Sequence, residues 1–209
     1  MSRVGNSFAP PLVGLGLLLA ACHPTGAQYV SDLDVVATTH DATFDFAVPS
    51  TYSRPDRIPL ITGDPTTSPP EQLDPQLTSL ILNTLDNEMS AIGYTKVNVS
   101  AGPDLVITAG ALKVINVTYY YGYWCTYWAY YYPCYPYYPP VVGVSTYTVG
   151  TLLIDMAPFS TTTPPNNQIR GVWTAVIRGI QTGSASTDQT RIVNGISQAF
   201  IQSPYLGRP

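Results

Sequence analysis

Two apolar segments, 105–118 and 149–156, constrain the fold of this 209-residue chain more than any other feature. The first is apolar at both odd and even positions, and the second carries Leu152 and Ile154 on one side. Strands that are apolar on both faces occur inside sheets whose two faces are both covered. We therefore predict that the two segments form long central strands, which the residues between them join as an antiparallel hairpin.

Residues 75–92 have the pattern of an amphipathic helix. Asp74 is suited to the N-cap and Pro75 to the first turn, while Gly93 is typical of the residue that follows a helix. The apolar positions recur at helical spacing. They are Leu73, Leu77, Leu80, Ile81, Leu85, Met89 and Ile92.

Shorter strands and long connections are predicted around these elements. The strand candidates are 42–48, 94–99 and 171–180. In the first of them, Phe44, Phe46 and Val48 alternate with polar or small residues, which is typical of a strand. Two proline-rich stretches are interpreted as surface connections, 53–70 and 158–168.

A second helix is predicted to begin at Thr187 or Asp188 and to end before Pro204. Its expected buried residues are Ile192, Ile196, Ala199 and Phe200. Since each helix has one apolar stripe, both helices can pack on the same face of a sheet. The sequence therefore predicts an α/β (α+β) fold: a two-layer sandwich with a mostly antiparallel sheet, two helices on one face and a long aromatic hairpin insertion.

The N-terminus has the features of a targeting signal. Arg3 precedes an apolar run, 12–21, which ends in Leu-Ala-Ala directly before Cys22. This order is typical of a lipoprotein signal peptide over residues 1–21, whose removal leaves Cys22 to carry acyl chains such as palmitate. The run is too short for a stable spanning helix. A plain secretory signal with an incidental cysteine is the alternative.

The residue after the predicted lipidation site bears on location. It is His23 rather than an aspartate, which favours the outer membrane over retention at the inner membrane. We expect a membrane contact through the N-terminal lipid, with the folded domain facing the periplasm and exposure at the cell surface left open. Residues 22–41 are interpreted as a tether and a first extended segment, and residues 42–203 as a single domain.

Cys125 and Cys134 are the cysteines that remain when Cys22 carries lipid. In an oxidising periplasm, such a pair is expected to form a disulfide, which stabilises the small ring by roughly 2–3 kcal/mol. A metal pair is less favoured, because the surrounding block has no His, Asp or Glu to complete a tetrahedral site. Two free thiols are the remaining alternative.

Residues 119–140 form an uncharged, tyrosine-rich block between the two predicted central strands. It is far longer than ordinary hairpin connections of about 2–5 residues, and long loops are usually functional or disordered. Tyr and Trp offer large, stiff contact surfaces, so the block can contact a protein, stack on cell-wall glycans or lie at a lipid–water interface. A self-packed tip without a partner is the alternative. The expected partner-binding residues are Tyr119, Tyr120, Tyr121, Tyr123, Trp124, Tyr127, Trp128, Tyr130, Tyr131 and Tyr132.

Composition and motifs exclude several classes of function. With 9 Lys+Arg and a net charge of −4, the chain lacks the basic surface that nucleic-acid binding needs. His23 and His40 show no zinc-binding spacing, and the sequence has neither a Gly-x-Ser-x-Gly elbow nor a phosphate-binding loop. We therefore expect no enzymatic activity, no cofactor and no metal. The alternative is an envelope hydrolase that uses carboxylates such as Asp45 and Asp155.

Eight short pieces of the sequence occur in an order that is typical of one family. They are Phe44-Asp45-Phe46-Ala47, Tyr52, Leu73-Asp74, Gly93-Tyr94, Pro103-Asp104-Leu105-Val106, Gly150-Thr151-Leu152-Leu153-Ile154-Asp155, Val172-Trp173 and Arg191-Ile192. On these pieces, the chain resembles the bacterial lipoproteins that share domain of unknown function 4136. The resemblance implies an α/β periplasmic domain on a lipid anchor, with no established activity and no catalytic residues to carry over. We expect a non-enzymatic envelope lipoprotein that presents its tyrosine-rich block to an envelope protein or peptidoglycan, a purely structural assembly subunit being a further alternative.

Overall fold

The structure of the chain, a computed structural model, describes residues 35–62, 71–113, 137–138, 150–159, 169–180 and 185–207. In these ranges the strands are β1 Val36–His40, β2 Thr51–Ser53, β3 Pro59–Ile61, β4 Glu71–Gln72, β5 Thr95–Lys96, β6 Leu105–Leu112, β7 Tyr137–Tyr138, β8 Thr151–Pro158, β9 Ile169–Arg170 and β10 Trp173–Ile177. The α-helices are α1 Pro75–Ala91 and α2 Ala185–Ile201, and short 3₁₀ helices cover Val99–Ala101 and Pro204–Leu206.

Eight of these strands form one sheet, with the order β1-β10-β8-β6-β2-β5, and with β3 beside the end of β6 and β4 paired with β3. The two long strands predicted from the sequence lie at its centre. They are antiparallel along their whole described length, from Leu105 opposite Pro158 to Leu112 opposite Thr151. The predicted mixed fold, mostly antiparallel and with two helices, is therefore confirmed.

Both helices pack on one face of the sheet and contact each other. The helices and alternate strand residues share one apolar core, which includes Ile81, Leu85, Met89, Ile107, Ile154, Met156, Trp173, Ala175, Ile192, Ile196 and Phe200. Asp74 caps α1 as predicted, since its Oδ1 accepts the N–H groups of Gln76 and Leu77 at 2.9 and 3.2 Å. The core thus combines the two apolar helix stripes with one face of the sheet.

The opposite face of the central strands is also buried. Its buried residues include Val106, Thr108, Leu153, Asp155, Thr174 and Val176. This burial on both faces agrees with the pattern of the first central segment, which is apolar at odd and even positions. Among the residues that the structure describes, none of the helices is long and apolar enough to cross a membrane.

The strand predicted over 42–48 is wrong. This segment consists of turns, in which Oδ1 of Asp41 accepts the N–H of Thr43 at 2.9 Å and Oδ1 of Asp45 accepts that of Ala47 at 3.0 Å. These local hydrogen bonds compete with a strand, and they leave Val48 74% exposed. The strand of this region is β1, which pairs with β10.

The stretch 53–70 is not only a surface connection. It contains β3, which runs parallel to the end of β6 and places Ile61 opposite Leu112. Ile58 and Ile61 are both buried in the core region. The prolines of this stretch argued against a strand. Pro59 nevertheless stands at the first position of β3, where a proline is tolerated.

Other boundaries differ by a few residues. The second helix begins at Ala185 rather than at Thr187 or Asp188, so that Asp188 lies in its first turn instead of at the cap. A carboxylate interacts favourably with the helix dipole both at the cap and in the first turn. An acidic residue therefore predicts the first residue of a helix only to within one turn. The strands predicted over 94–99 and 171–180 are shorter, covering β5 and β10.

Candidate binding site

The segment 114–149, which contains the tyrosine-rich block, begins and ends beside the central strands of the sheet. The N–H of Gly150 donates to the carbonyl of Leu112 at 3.1 Å, and the N–H of Lys113 donates to that of Ile61 at 2.8 Å. Gly150 has a φ of +77°, a left-handed conformation that favours glycine. The chain therefore leaves β6 and enters β8 at neighbouring points, as a hairpin insertion requires.

A cavity of about 250 Å³ lies at these points, between the first halves of α1 and α2 and the ends of the strands. Its apolar lining residues are Leu60, Leu73, Leu77, Ile81, Ala111, Leu112, Ile180 and Ile192. Its polar lining residues are Asp74, Lys113, Thr151 and Asp188. The walls suit an apolar group, and the volume is slightly below the roughly 300–1,000 Å³ that is typical of sites for drug-sized ligands.

A cluster of charged residues lies at the other end of the sheet, where α1 crosses β2 and β5. The carboxylate of Asp86 accepts hydrogen bonds from Nε and Nη2 of Arg54 at 2.8 and 2.6 Å, from Nζ of Lys96 at 2.8 Å and from the hydroxyl of Tyr52 at 2.8 Å. Partial burial alone raises the pKa of Asp86, but the bonds from Arg54, Lys96 and Tyr52 outweigh it and lower the pKa to about 2. Burial, together with donation to this carboxylate, raises the pKa of Tyr52. The cluster holds three elements together and leaves Asp86 ionised at neutral pH.

Two further carboxylates have hydrogen-bonding roles in turns. Oδ2 of Asp104 accepts the N–H groups of Ser50 and Thr51 at 2.8 and 2.9 Å, and the bond from Ser50 contributes most to lowering the pKa of Asp104. Asp41 forms an ion pair with Arg170 at 2.8 Å, and its bonds from Thr43 lower its pKa. Both groups are therefore acceptors that stay ionised at neutral pH.

The hydrolase alternative named Asp45 and Asp155, and the structure places them in different surroundings. Asp45 is exposed in the turn described above. Asp155 is 1% exposed, and it points away from the helices because its neighbours Ile154 and Met156 belong to the core. No described cavity is lined by both carboxylates. The two carboxylates thus differ in exposure, and no described cavity brings them together.

Asp155 is the middle of a polar row across three strands. Thr108 of β6 and Thr174 of β10 lie directly opposite it on either side. The hydroxyl of Thr174 donates to Oδ1 of Asp155 at 2.6 Å. The row is a buried polar feature of the sheet, and the sequence indicated only its single carboxylate.

The histidine of the described residues, His40, lies beside an aromatic ring. His40 is stacked on Tyr205, with ring centroids 3.8 Å apart, so its ring packs against an aromatic surface. The described part of the chain contains no group of three His, Cys, Asp or Glu side chains that is suited to a metal ion.

The predicted lipidation, disulfide and partner-binding residues lie outside the described residues, and these assignments stay predictions. They are Cys22, Cys125, Cys134, Tyr119, Tyr120, Tyr121, Tyr123, Trp124, Tyr127, Trp128, Tyr130, Tyr131 and Tyr132. Within the tyrosine-rich block, Tyr137–Tyr138 is described, and its backbone pairs in parallel with Ile169–Arg170. This part of the block is therefore attached to the chain just before β10.

Comparisons with known proteins place the fold in a family. The sequence profile of a domain of unknown function, DUF4136, matches residues 36–205. A crystal structure of a DUF4136 family protein from Bacteroides thetaiotaomicron is similar, with 27% sequence identity, a TM-score of 0.65, and coverage of 83% of this chain and 97% of that one. A PelC dodecamer from Paraburkholderia phytofirmans matches with 13% identity and a TM-score of 0.37, over 84% of this chain and 99% of that one. No functionally curated protein matches the sequence. The profile covers most of the chain, and the chain belongs to the DUF4136 family.

Proposed function

We propose that this protein is a lipoprotein of the bacterial cell envelope that is anchored through Cys22 and binds or assembles with an envelope component without catalysing a reaction. In this proposal the domain faces the periplasm from the outer membrane. The tyrosine-rich block contacts an envelope protein or peptidoglycan. The observation that carries the proposal is that the chain segment containing this block leaves β6 and enters β8 at neighbouring points, beside an apolar cavity.

This attachment suits a binding role. Loops that carry function are commonly held by a rigid scaffold, and the central strands β6 and β8 are buried over nearly all of their length. Tyr and Trp side chains lose little conformational entropy on contact and dominate many interfaces. A block of such residues, joined along the chain to two buried strands, has the composition that a contact surface needs.

Three carboxylates of the described residues have pKa values that do not suit a general acid at neutral pH. Asp41, Asp86 and Asp104 all have lowered pKa values because they accept several hydrogen bonds. A general acid or base at neutral pH needs a pKa near the working pH, and these carboxylates have moved in the opposite direction. Their hydrogen bonds in turns and their ion pairs give these carboxylates structural roles.

The binding role is tested by replacing 119–136 with a short Gly/Ser connection that keeps Tyr137–Tyr138. Crosslinking in intact cells and sedimentation with peptidoglycan then compare the variant with the unaltered protein. The matched control replaces 64–69, in a different long connection, with a Gly/Ser linker of equal length. We expect capture to be lost in the first variant and kept in the control. Equal capture by both variants would contradict the proposal.

The anchor is tested separately by mass spectrometry of the mature protein. We expect an N-terminal Cys22 that carries fatty acyl chains, and loss of labelling by radioactive palmitate in Cys22→Ala. A mature chain that begins at Met1 without lipid would overturn the proposed location.

A further inference from the structure

A second cavity, of about 260 Å³, lies between α2 and the joined ends of β1 and β10, and it differs in chemistry from the apolar cavity. Its lining residues are Val36, Ile177, Arg178, Arg191, Asn194, Gly195 and Gln198. Two arginines, an asparagine and a glutamine thus line one space, and none of these lining residues is acidic. This is a concentration of hydrogen-bond donors in a chain with only 9 Lys+Arg and a net charge of −4.

The local packing explains how the donors meet. Gly195 lets α2 lie against β10, because a Cβ atom at this position would collide with Cγ2 of Ile177. Arg191, Asn194 and Gln198 follow one another at spacings of three and four residues, so they share one face of the helix. Arg178 comes directly after the end of β10 and faces the same space.

We infer that this cavity binds a phosphate group that is esterified to a small polar group. Arginine presents a planar fork of five N–H donors that matches the oxygens of phosphate, and the amides of Asn and Gln add further donors. Both arginines also interact elsewhere in the chain. Because each guanidinium has five donors, such a contact leaves others for a ligand.

The size and the mouth of the cavity agree with this ligand. At about 30 Å³ per water molecule, a volume of about 260 Å³ exceeds what a bare phosphate ion fills, and it leaves room for an attached group. Asn194 and Gln198 are exposed, whereas Arg178 and Arg191 are half-buried. Solvent therefore reaches the amides first, and the arginines lie where their charges are less screened.

The phosphate has two possible sources, a lipid headgroup or a soluble phosphate ester. Val36, which lines the cavity, follows Cys22 by 14 positions. A fully extended chain of that length spans at most about 50 Å, so a bilayer anchor at Cys22 would keep the cavity near lipid headgroups. Only the lipid source depends on the proposed anchor at Cys22. The side chains that line the cavity are the same with or without an anchor.

The test uses the full chain carrying Cys22→Ser, which removes the lipid attachment and leaves the cavity and the tyrosine-rich block unaltered. Inorganic phosphate and glycerol 3-phosphate are titrated by calorimetry. We expect saturable binding at one site, tighter for glycerol 3-phosphate. Arg178→Gln and Arg191→Gln should each weaken it about tenfold or more. Arg170→Gln is the matched control, since its side chain is 71% exposed and lies outside the cavity.

Arg191→Lys keeps the charge but loses the planar fork, so we expect it to bind more weakly than the unaltered chain and more tightly than Arg191→Gln. Circular dichroism tests whether each variant is folded. If Arg178→Gln is unfolded, the inference is judged on the Arg191 variants alone. Absence of binding up to about 10 mM would overturn the inference. Equal loss in Arg170→Gln would do the same, because it would indicate a general charge effect.

Vesicles distinguish the two sources. If the ligand is a lipid headgroup, the chain should bind phosphatidylglycerol vesicles more strongly than phosphatidylcholine vesicles, and Arg191→Gln should remove the difference while Arg170→Gln keeps it. If only glycerol 3-phosphate binds, the ligand is soluble. A negative result in every titration would leave the proposed envelope role standing, because neither the tyrosine-rich block nor its attachment is changed.

Discussion

The two faces of the central strands are both buried but are built differently. The face under α1 and α2 is apolar throughout and continues into the helix stripes. The opposite face also contains apolar residues, but Thr108, Asp155 and Thr174 form a polar row across its middle. Stability on the first face therefore follows the area and fit of apolar contacts, whereas on the second it also depends on whether each polar group has its partner.

The largest effect is expected on the helix-covered face, at Trp173. This side chain is fully buried, its ring centroid lies 5.5 Å from that of Phe200, and its Nε1–H donates to the hydroxyl of Ser203 at 2.9 Å. Trp173→Ala should lower the free energy of unfolding by about 3–5 kcal/mol, because it removes a large apolar surface and leaves a cavity. Urea denaturation measures this loss.

Trp173→Phe is the matched variant, since it keeps most of the ring and loses only the hydrogen bond and part of the area. We expect it to cost about 1–2 kcal/mol. If both variants cost the same, hydrogen bonding rather than packing would dominate this face, and the comparison of the two faces would fail.

The second prediction concerns the polar row. Asp155→Ala removes the acceptor of the bond from Thr174. It should lower the free energy of unfolding by about 2–3 kcal/mol, because it leaves a buried hydroxyl donor without that acceptor. Asp155→Asn keeps an oxygen acceptor and should cost less. Chemical denaturation at neutral pH compares the two.

The double variant Asp155→Val with Thr174→Val sharpens this test. Replacing both partners by apolar residues leaves neither member of the pair unsatisfied, so its cost should be smaller than the sum of the two single changes. Strict additivity would show that the pair does not act as a unit.

The sequence predicted those parts of the fold that local chemistry determines. Asp74 and Pro75 lie side by side, so the start of α1 could be recognised without knowledge of the rest of the chain. The segment that became β6 was recognised because it is apolar on both faces. The same local reasoning failed at 42–48, where alternation indicated a strand but the side chains of Asp41 and Asp45 form turns with their own backbone.

The charged cluster around Asp86 could not be predicted in this way. Its partners Tyr52 and Arg54 lie 34 and 32 positions away along the chain, and they meet it only because β2 is placed beside β6 under α1. No local pattern distinguishes Asp86 from another polar position on an exposed helix face. The two cavities depend in the same way on the relative placement of distant elements.

A smaller effect is expected from Gly195→Ala, which tests how closely α2 fits the apolar face. The added Cβ would collide with a branched, buried side chain, that of Ile177. Overpacking costs about 1–3 kcal/mol, which the better helix propensity of alanine offsets only in part, so we expect a net loss of about 1–2 kcal/mol. Gly207→Ala is the control, because its Cβ would lie 3.4 Å from the carbonyl oxygen of Pro204 and should be nearly neutral. A similar melting temperature for both variants would contradict close packing at α2.

The smallest effect is expected at Asp86, which is partly exposed, whereas Asp155 is buried. The pKa of Asp86 falls from its ordinary 3.8 to about 2 in the folded chain, so ionisation of this group stabilises the fold above about pH 4 and this contribution is lost as the pH falls towards 2. Its side chain is 22% exposed, and solvent screening limits the contribution to about 1 kcal/mol. Asp86→Asn should therefore lower stability by about this amount at pH 7 and flatten the fall in stability between pH 4 and 2, measured by urea denaturation across that range. Because Asp41 and Asp104 also have lowered pKa values, some acid dependence should remain in the variant, and curves that stay parallel to those of the unaltered chain would show that Asp86 does not contribute to it.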